Sequence, residues 1–345
     1  MKWYSGTECN GIILSTRVRL ARNVRGYPFA SKLSPEQKSA MIGDVKGTFE
    51  KFGLERYNYI DIGTKSSHDK KILVEEHIIS SEFAEMPPSE KGLLITDESG
   101  NVSVMVGEED HIRIQVIQAG GEIKEAYSCA EKIDDMLSKG LEFSFDKKLG
   151  YLTCCPSNTG TGMRISCMLH LPMLSRNNYI KSVFEYCSRL GLTVRGFYGE
   201  GSKAEGEIYQ ISNQITLGIS EEETIKRLEE AVKIIASKEQ NLRDQLKNAP
   251  EIVNDKLWRS YGILSYARSV SSGEFLNLWS DCMLAKDCGI IPELQKINMI
   301  RLLIGCMPAH VADDVTNGQD ASERDIYRAQ KIRLELQKNG KDEIY

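Results

Sequence analysis

Every strand-like run in this 345-residue sequence ends by Gly218, and the chain beyond that glycine reads as helix. That segregation predicts an α+β part with an antiparallel sheet flanked by helices, then a helical bundle. GLLITDESGNVSVMVGEEDHIRIQVI reads as three strands, with Ser99-Gly100 supplying a turn that suits antiparallel pairing. TCCPSN and TVRGFYGE look like strand ends running into functional loops, and EIYQISNQITLG is a further strand. Ser34-Pro35-Glu36-Gln37 has the signature of a capping box with proline at the first helical position. The helix it opens carries Met41, Val45, Phe49 and Phe52 on one face. Ser220 and Glu223 form a second box ahead of Ile225, Leu228, Val232, Ile235, Leu242 and Leu246 at helical spacing. This long helix runs to Asn248-Ala249-Pro250, dividing the chain into an α+β part, 1–249, and a helical part, 250–345. The stretches WRSYGILSYARSV, GEFLNLWSDCMLAKDCG, PELQKINMIRLLIGCMP and SERDIYRAQKIRLELQK predict four helices, the last with a cap at Ser322 followed by Asp325.

Composition narrows the function. A net charge of −5 without a basic tail argues against nucleic acid as the main ligand. No apolar run is long enough to span a membrane, and MKWYSGTECNG lacks the regions of a signal peptide. Nine cysteines at irregular positions, without CxxC, indicate neither a zinc site nor a disulfide framework, so reduced cytoplasmic thiols are expected.

Five arginines stand in four motifs: Arg17 and Arg19 in STRVRLARN, Arg113 in GEEDHIRI, Arg164 in CPSNTGTGMR and Arg195 in RGFYGE. Guanidinium binds phosphate oxygens as a rigid fork and keeps its charge. With no P-loop present, five arginines in strand-like, Gly-rich motifs point to a triphosphate held by side chains. Each charge-assisted hydrogen bond contributes about 1.5–3 kcal/mol. The glycines of GTG and RGFYGE suggest close backbone approach to the anion.

In order and content, STRVR, EEDH.R, CPSN.GTG.R and RG..GE…ISN..TLG resemble the phosphagen kinases over residues 12–218. The sequence begins almost directly at STRVR, without the helical N-terminal domain of the small-guanidine kinases, and adds C-terminal helices. Both departures resemble the bacterial protein arginine kinases. The resemblance implies that Arg17, Arg19, Arg113, Arg164 and Arg195 grip ATP, with Mg2+ carried mainly by phosphates and water. It implies a nucleotide site along Ser15, Thr16, Val18, Ile165, Ser166, Cys167, Met168, Gly196, Phe197, Tyr198 and Gly199, with His77 a further contact. Glu109 and Glu200 would hold and deprotonate the guanidine acceptor, with His111 supporting Glu109 and Cys155 lying near the substrate. Gln210 replaces the acidic residue usual before ISN, which leaves open how the substrate-side loop is anchored.

RDIYRA resembles the phosphoarginine-binding motif of that family, with Arg324 and Arg328 as an i,i+4 clamp and Asp325 beside them. An ordinary charged helix surface is the competing reading of those residues. The family also implies a homodimer in protein quality control and stress response. Its partners would be proteins with exposed or unfolded arginines, a stress-gene repressor, an activator protein and a Clp unfoldase–protease. Two alternatives stand beside this reading. They are a small-guanidine kinase and a pseudokinase adaptor that reads phosphoarginine.

Overall fold

A computed structural model of the chain describes residues 1–6, 11–52, 57–196, 205–248, 251–315 and 320–337. Its centre is an eight-stranded antiparallel sheet. In chain order the strands are β1 (Ile13–Arg22), β2 (Tyr57–Asp61), β3 (Leu93–Asp97), β4 (Val102–Val106) and β5 (Ile112–Ala119). Then come β6 (Phe145–Asp146), β7 (Gly150–Tyr151), β8 (Met163–His170), β9 (Leu192–Gly196) and β10 (Ile208–Asn213). The order across the sheet is β2-β3-β4-β5-β1-β8-β10-β9, with β1 in the middle. β6 and β7 pair with each other as a separate two-stranded ribbon.

Strand alternation gives the sheet two unlike faces. Val18, Leu20, Ile114, Val116, Ile165 and Cys167 point to the first and are fully buried. They pack with α1 (Pro35–Lys51), α4 (Ile123–Ser138), α6 (Ile180–Arg189) and α7 (Glu221–Lys247). The second face is polar at its centre and apolar at its edge. There Leu14, Ile117, Met168 and Ile208 meet a separate core built by the C-terminal helices. Short helices α2 (Ser67–Glu75), α3 (Ser81–Ala84) and α5 (Pro172–Arg176) fill the flanks.

The C-terminal helices are α8 (Glu251–Tyr266), α9 (Ser272–Asp287), α10 (Met299–Gly305), α11 (Pro308–Asp313) and α12 (Ala321–Gln337). From Phe275 to Ala285, α9 is buried at every described position but Asn277, so it forms the axis of this part. Each large apolar side chain buried there contributes about 1.5–3 kcal/mol.

Local signals hold at some helix ends and shift at others. The Ser34 box is complete, with both reciprocal hydrogen bonds. Phe52 closes α1 as its C-cap and is 36% exposed, so it does not join the face of Met41, Val45 and Phe49. Ser220 accepts the Glu223 N–H at 3.2 Å. The Glu223 carboxylate turns to Arg227 at 2.9 Å instead of completing the box. At α12 the capping oxygen is that of Asp320, which accepts the Ser322 N–H at 2.8 Å. The single helix expected over 292–308 is broken into a 3-10 turn at Pro292–Leu294 and α10, which Asn298 caps by accepting the Arg301 N–H at 2.9 Å. Pro308 then starts α11, where a first turn has no use for the N–H that proline lacks.

Candidate active site

Register brings the arginines together. Across β1 and β8, Arg19 faces Arg164 and Arg17 faces Ser166. On the other flank of β1, Ala21 faces Arg113 of β5. The row continues through Met168 opposite Gln210 and Gln210 opposite Arg195. Residues opposed in an antiparallel pair project to the same side, so all five arginines share the polar face. None of them is fully exposed.

Crowded, half-buried cations raise one another's energy. Burial first, then Arg113 and Arg164, lowers the Arg17 guanidinium to about 10. Burial and the Arg17, Arg113 and Arg164 charges push Arg19 well down, against a smaller opposing pull from Glu108. Arg17 Nη2 donates to Gln210 Oε1 at 2.9 Å, a neutral partner that leaves the positive charge uncompensated. Arg19 Nε is buried without a hydrogen-bond partner. An orphaned donor inside a self-repelling cationic face fits a polyanion.

Beside it runs a narrow cleft lined by Ser15, Arg17, His77, Ile117, Ser166, Met168 and Gln210. His77 sits at its wall in left-handed backbone, φ 59°. Gln115 Nε2 donates to its carbonyl at 2.7 Å, and the Trp3 ring lies 5.8 Å from the imidazole. Burial and the Arg17 charge lower His77 to about 3, so its ring is neutral at pH 7.

The expected nucleotide-lining runs divide by parity. Ser15, Ser166 and Met168 reach the cleft. Thr16, Val18, Ile165 and Cys167 point to the opposite, helix-covered face and are fully buried. Thr16 Oγ1 donates to Gly120 O at 2.8 Å there, and burial pushes the Cys167 thiol up to about 12. Their side chains are therefore core, because a strand cannot show one face with consecutive residues. Gly196 is the last residue of β9. Phe197, Tyr198, Gly199 and Glu200 lie outside the described residues.

The β4–β5 connection carries four functional-looking residues that separate in role. Glu109 is the outward one, with a side chain 43% exposed and an Arg113 pair at 3.4 Å. Glu108 is buried, bound by Arg113 at 3.0 Å and by the Ser80 hydroxyl at 2.6 Å. Burial outweighs Arg113 and raises its pKa. Asp110 accepts from Asn23 Nδ2 and from the Cys154 N–H, both at 2.7 Å, which ties the Glu109 loop to the Cys155 loop. His111 is held at both nitrogens. Nδ1 accepts the Val24 N–H at 3.0 Å, so Nε2 carries the proton toward Pro28 O at 2.8 Å. Its support of Glu109 is thus architectural. Sequence reasoning missed Glu108 and Asp110, although two further acids flanking Glu109 were the available signal.

Cys155 Sγ lies 3.0 Å from Ser157 Oγ on a 3-10 turn, Pro156–Asn158. The GTG glycines are required by close backbone packing. A Cβ on Gly160 would sit 2.1 Å from Thr216 O, and one on Gly162 would sit 2.6 Å from Ala21 O. Both glycines are left-handed, at φ 119° and 64°.

In α12 the clamp is not built as expected. Arg328 is 1% exposed. Its Nε donates to Cys306 O at 2.9 Å, and its Nη1 donates to Val270 O at 2.8 Å and to Asp325 Oδ1 at 2.5 Å. Arg328 and Asp325 thus bind α12 to its neighbours, whereas Arg324 is half-exposed. Spacing of i,i+4 could not reveal that one member faces inward.

Among the described residues no cluster of three or more His, Cys, Asp or Glu is placed to hold a metal ion, and no helix is long and apolar enough to cross a membrane.

Comparison with known proteins agrees with this geometry. Residues 40–242 match the ATP:guanido phosphotransferase C-terminal catalytic domain, and 250–344 match the protein-arginine kinase McsB C-terminal domain. The protein-arginine kinase of Clostridium kluyveri is 41% identical over 332 residues, covering 95% of this chain and 96% of that protein. That of Clostridium acetobutylicum is 40% identical over 335 residues, covering 96% and 98%. The crystal structure of lombricine kinase shares the fold, with a TM-score of 0.60 at 24% identity over 70% of this chain and 69% of that one. The duplicated taurocyamine kinase of Schistosoma mansoni with bound transition-state-analogue components gives 0.61 at 26% identity, over 80% of this chain and 41% of that longer one. Motif order, sheet register and near-complete coverage agree: the chain belongs to the protein-arginine kinase family within the ATP:guanido phosphotransferases.

Proposed function

We propose that this protein transfers the γ-phosphoryl group of ATP to arginine side chains of other proteins. The observation that carries the proposal is the sheet face that gathers five arginines, with Arg17 and Arg19 crowded by Arg113 and Arg164, next to the loop bearing Glu109. The guanidiniums of Arg17, Arg19, Arg113, Arg164 and Arg195 bind the phosphates and stabilise charge as it shifts in the transition state. Mg2+, carried by the phosphates, would neutralise further charge. Glu109 and Glu200 orient the acceptor guanidinium and receive its proton.

The proton leaves late. Arginine lies about 9 pKa units above glutamate, so complete transfer beforehand would cost about 12 kcal/mol. A kinase turning over about ten times per second has a barrier of only about 16 kcal/mol. Deprotonation is therefore coupled to P–N bond formation, and alignment supplies much of the rate.

In this reading residues 1–249 are the catalytic part, while 250–345 serve regulation, dimerisation and binding of phosphorylated arginine. Arg324, the half-exposed guanidinium of RDIYRA, would meet such a ligand first, and Arg328 would have to leave its carbonyl partners to join it. The biological role that fits is a cytoplasmic homodimer that marks proteins for a Clp unfoldase–protease and inactivates a stress-gene repressor, with an activator protein. The deciding experiment incubates the chain with ATP, an unfolded protein and free arginine, and maps acid-labile phosphate by mass spectrometry. Phosphate on protein arginines is the expected result. Transfer to free arginine alone makes it a small-guanidine kinase, and no transfer to either defeats the proposal.

A further inference from the structure

β9 ends at Gly196, and the chain returns to the sheet at Ile208, where β10 begins, through the described residues Gly206 and Glu207. The return is held from three sides. Gly206 and Glu207 both adopt left-handed backbone, at φ 64° and 55°, a conformation unfavourable for glutamate unless its surroundings impose it. Glu207 Oε1 and Oε2 accept the fork of Arg176 at 2.9 and 2.6 Å, and the Ser280 hydroxyl donates to Oε2 at 2.7 Å. Leu171 N–H donates to the Glu207 carbonyl at 2.9 Å. Arg176 also pairs with Asp281 at 2.7 Å, and Asp281 in turn accepts from the Ser260 hydroxyl at 2.6 Å. A Cβ on Gly206 would stand 3.1 Å from Leu276 O, so α9 presses directly on the turn. Burial alone would lower Arg176, yet its two carboxylate partners raise it.

Ser260 belongs to α8, and Leu276, Ser280 and Asp281 to α9, so the C-terminal helices supply most of this clamp. Three residues beyond Glu207, Gln210 accepts from Arg17 and stands opposite Arg195. Gln210 is neutral, and the carboxylate that anchors this strand lies instead at Glu207.

We infer that Glu207 is a positioning residue for phosphoryl transfer: through Arg176, Ser280 and Asp281 the C-terminal helices set where β9 and β10 present Arg195 and Gln210. The helical part then completes the active site. This role rests on the proposed transfer reaction.

The test uses the full chain. Glu207→Gln keeps the shape and removes the charge, while Asp281→Asn loosens the same clamp from the C-terminal side without touching β10. We expect kcat for protein arginine to fall about tenfold or more in Glu207→Gln and about threefold in Asp281→Asn, with ADP affinity by calorimetry within about threefold. Glu207→Asp, which keeps the charge, should recover part of the loss. Side-chain Nε–H resonances of Arg17 and Arg195 should move in both weakened variants, which a merely stabilising clamp would not produce. Unchanged resonances together with kcat within about twofold of the parent overturn the inference, as does a loss of kcat matched by an equal loss of ADP affinity. If the parent itself phosphorylates no arginine, the proposed activity fails and the resonance shifts alone decide the positioning.

Discussion

The polar face of the sheet and the seams around it treat the same side chain in opposite ways. On the face, Arg17 and Arg19 stand next to other guanidiniums and lose basicity through burial and repulsion from their neighbours. In the seams each buried arginine is surrounded by acceptors. Arg22 forks onto Asp134 at 3.0 and 2.7 Å and lies 3.5 Å above the Tyr151 ring. Arg243 joins Glu239 at 3.0 Å, Asp287 at 2.7 Å and the His170 carbonyl at 2.9 Å. Arg328 binds two backbone carbonyls and Asp325. Satisfied arginines hold parts together, whereas Arg17 donates to the neutral Gln210 and Arg19 Nε is buried without an acceptor. The seam arginines are each about 1% exposed and the face arginines only partly buried, and on the face Arg113 does reach carboxylates, those of Glu108 and Glu109.

Substitution can break that contrast. Arg243→Met leaves Glu239 and Asp287 buried without their cation, which should cost about 3–5 kcal/mol of stability in denaturant titration. Arg164→Lys keeps the charge but loses the fork, so kcat should fall about a hundred- to a thousandfold. Its melting temperature should hold or rise, because the substitution does not add to the repulsion. A parallel fall in melting temperature would place Arg164 with the seam arginines.

A third test uses pH at the seam between α2 and α11. His310 Nδ1 donates to Glu75 at 2.8 Å, its Nε2 lies 3.5 Å from Glu76, and Lys2 and Tyr4 also bind Glu76. Burial alone would lower His310, but bonds to Glu75 and Glu76 outweigh it and raise it to about 9. A raised pKa stabilises fully below the ordinary value near 6.5 and is lost as pH climbs through 9. The parent should therefore exceed His310→Gln by about 1–3 kcal/mol at pH 6, with the gap closing by about pH 10. A constant gap would mean packing rather than charge. The smallest effect is expected at Cys155→Ser, whose hydroxyl can keep the Ser157 contact; kcat should stay within about threefold, since in-line transfer needs no thiol.

The sheet, the α+β character and the arginine set were legible because alternation, capping and motif order are local properties of a sequence. What escaped depends on three dimensions. Thr16 and Cys167 belong to the core because parity decides which neighbours of Arg17 and Ser166 share their face of the sheet. Helical spacing alone makes Arg328 half of a clamp, since it gives a direction but not whether a neighbouring helix covers it. Glu207 and Arg176 are 31 residues apart in sequence and belong to no motif, so only tertiary packing reveals them. The C-terminal break at Asn298 and Pro308 was readable in principle, since both residue types punctuate helices, yet the apolar run between them masks it by suggesting one continuous helix.

The alternation of β1 makes its register a form of information shared by the arginine face and the core. Arg17 and Arg19 project one way while Val18 and Leu20 project the other, so the two are written in interleaved letters. Inserting or deleting one residue within Ile13–Arg22 would exchange the letters, driving two cations into the apolar layer and two aliphatic chains onto the polar face. Evolution can therefore vary this strand by substitution within each parity class, but length change is closed to it, and the spacing of STRVR should be harder to alter than any single residue in it.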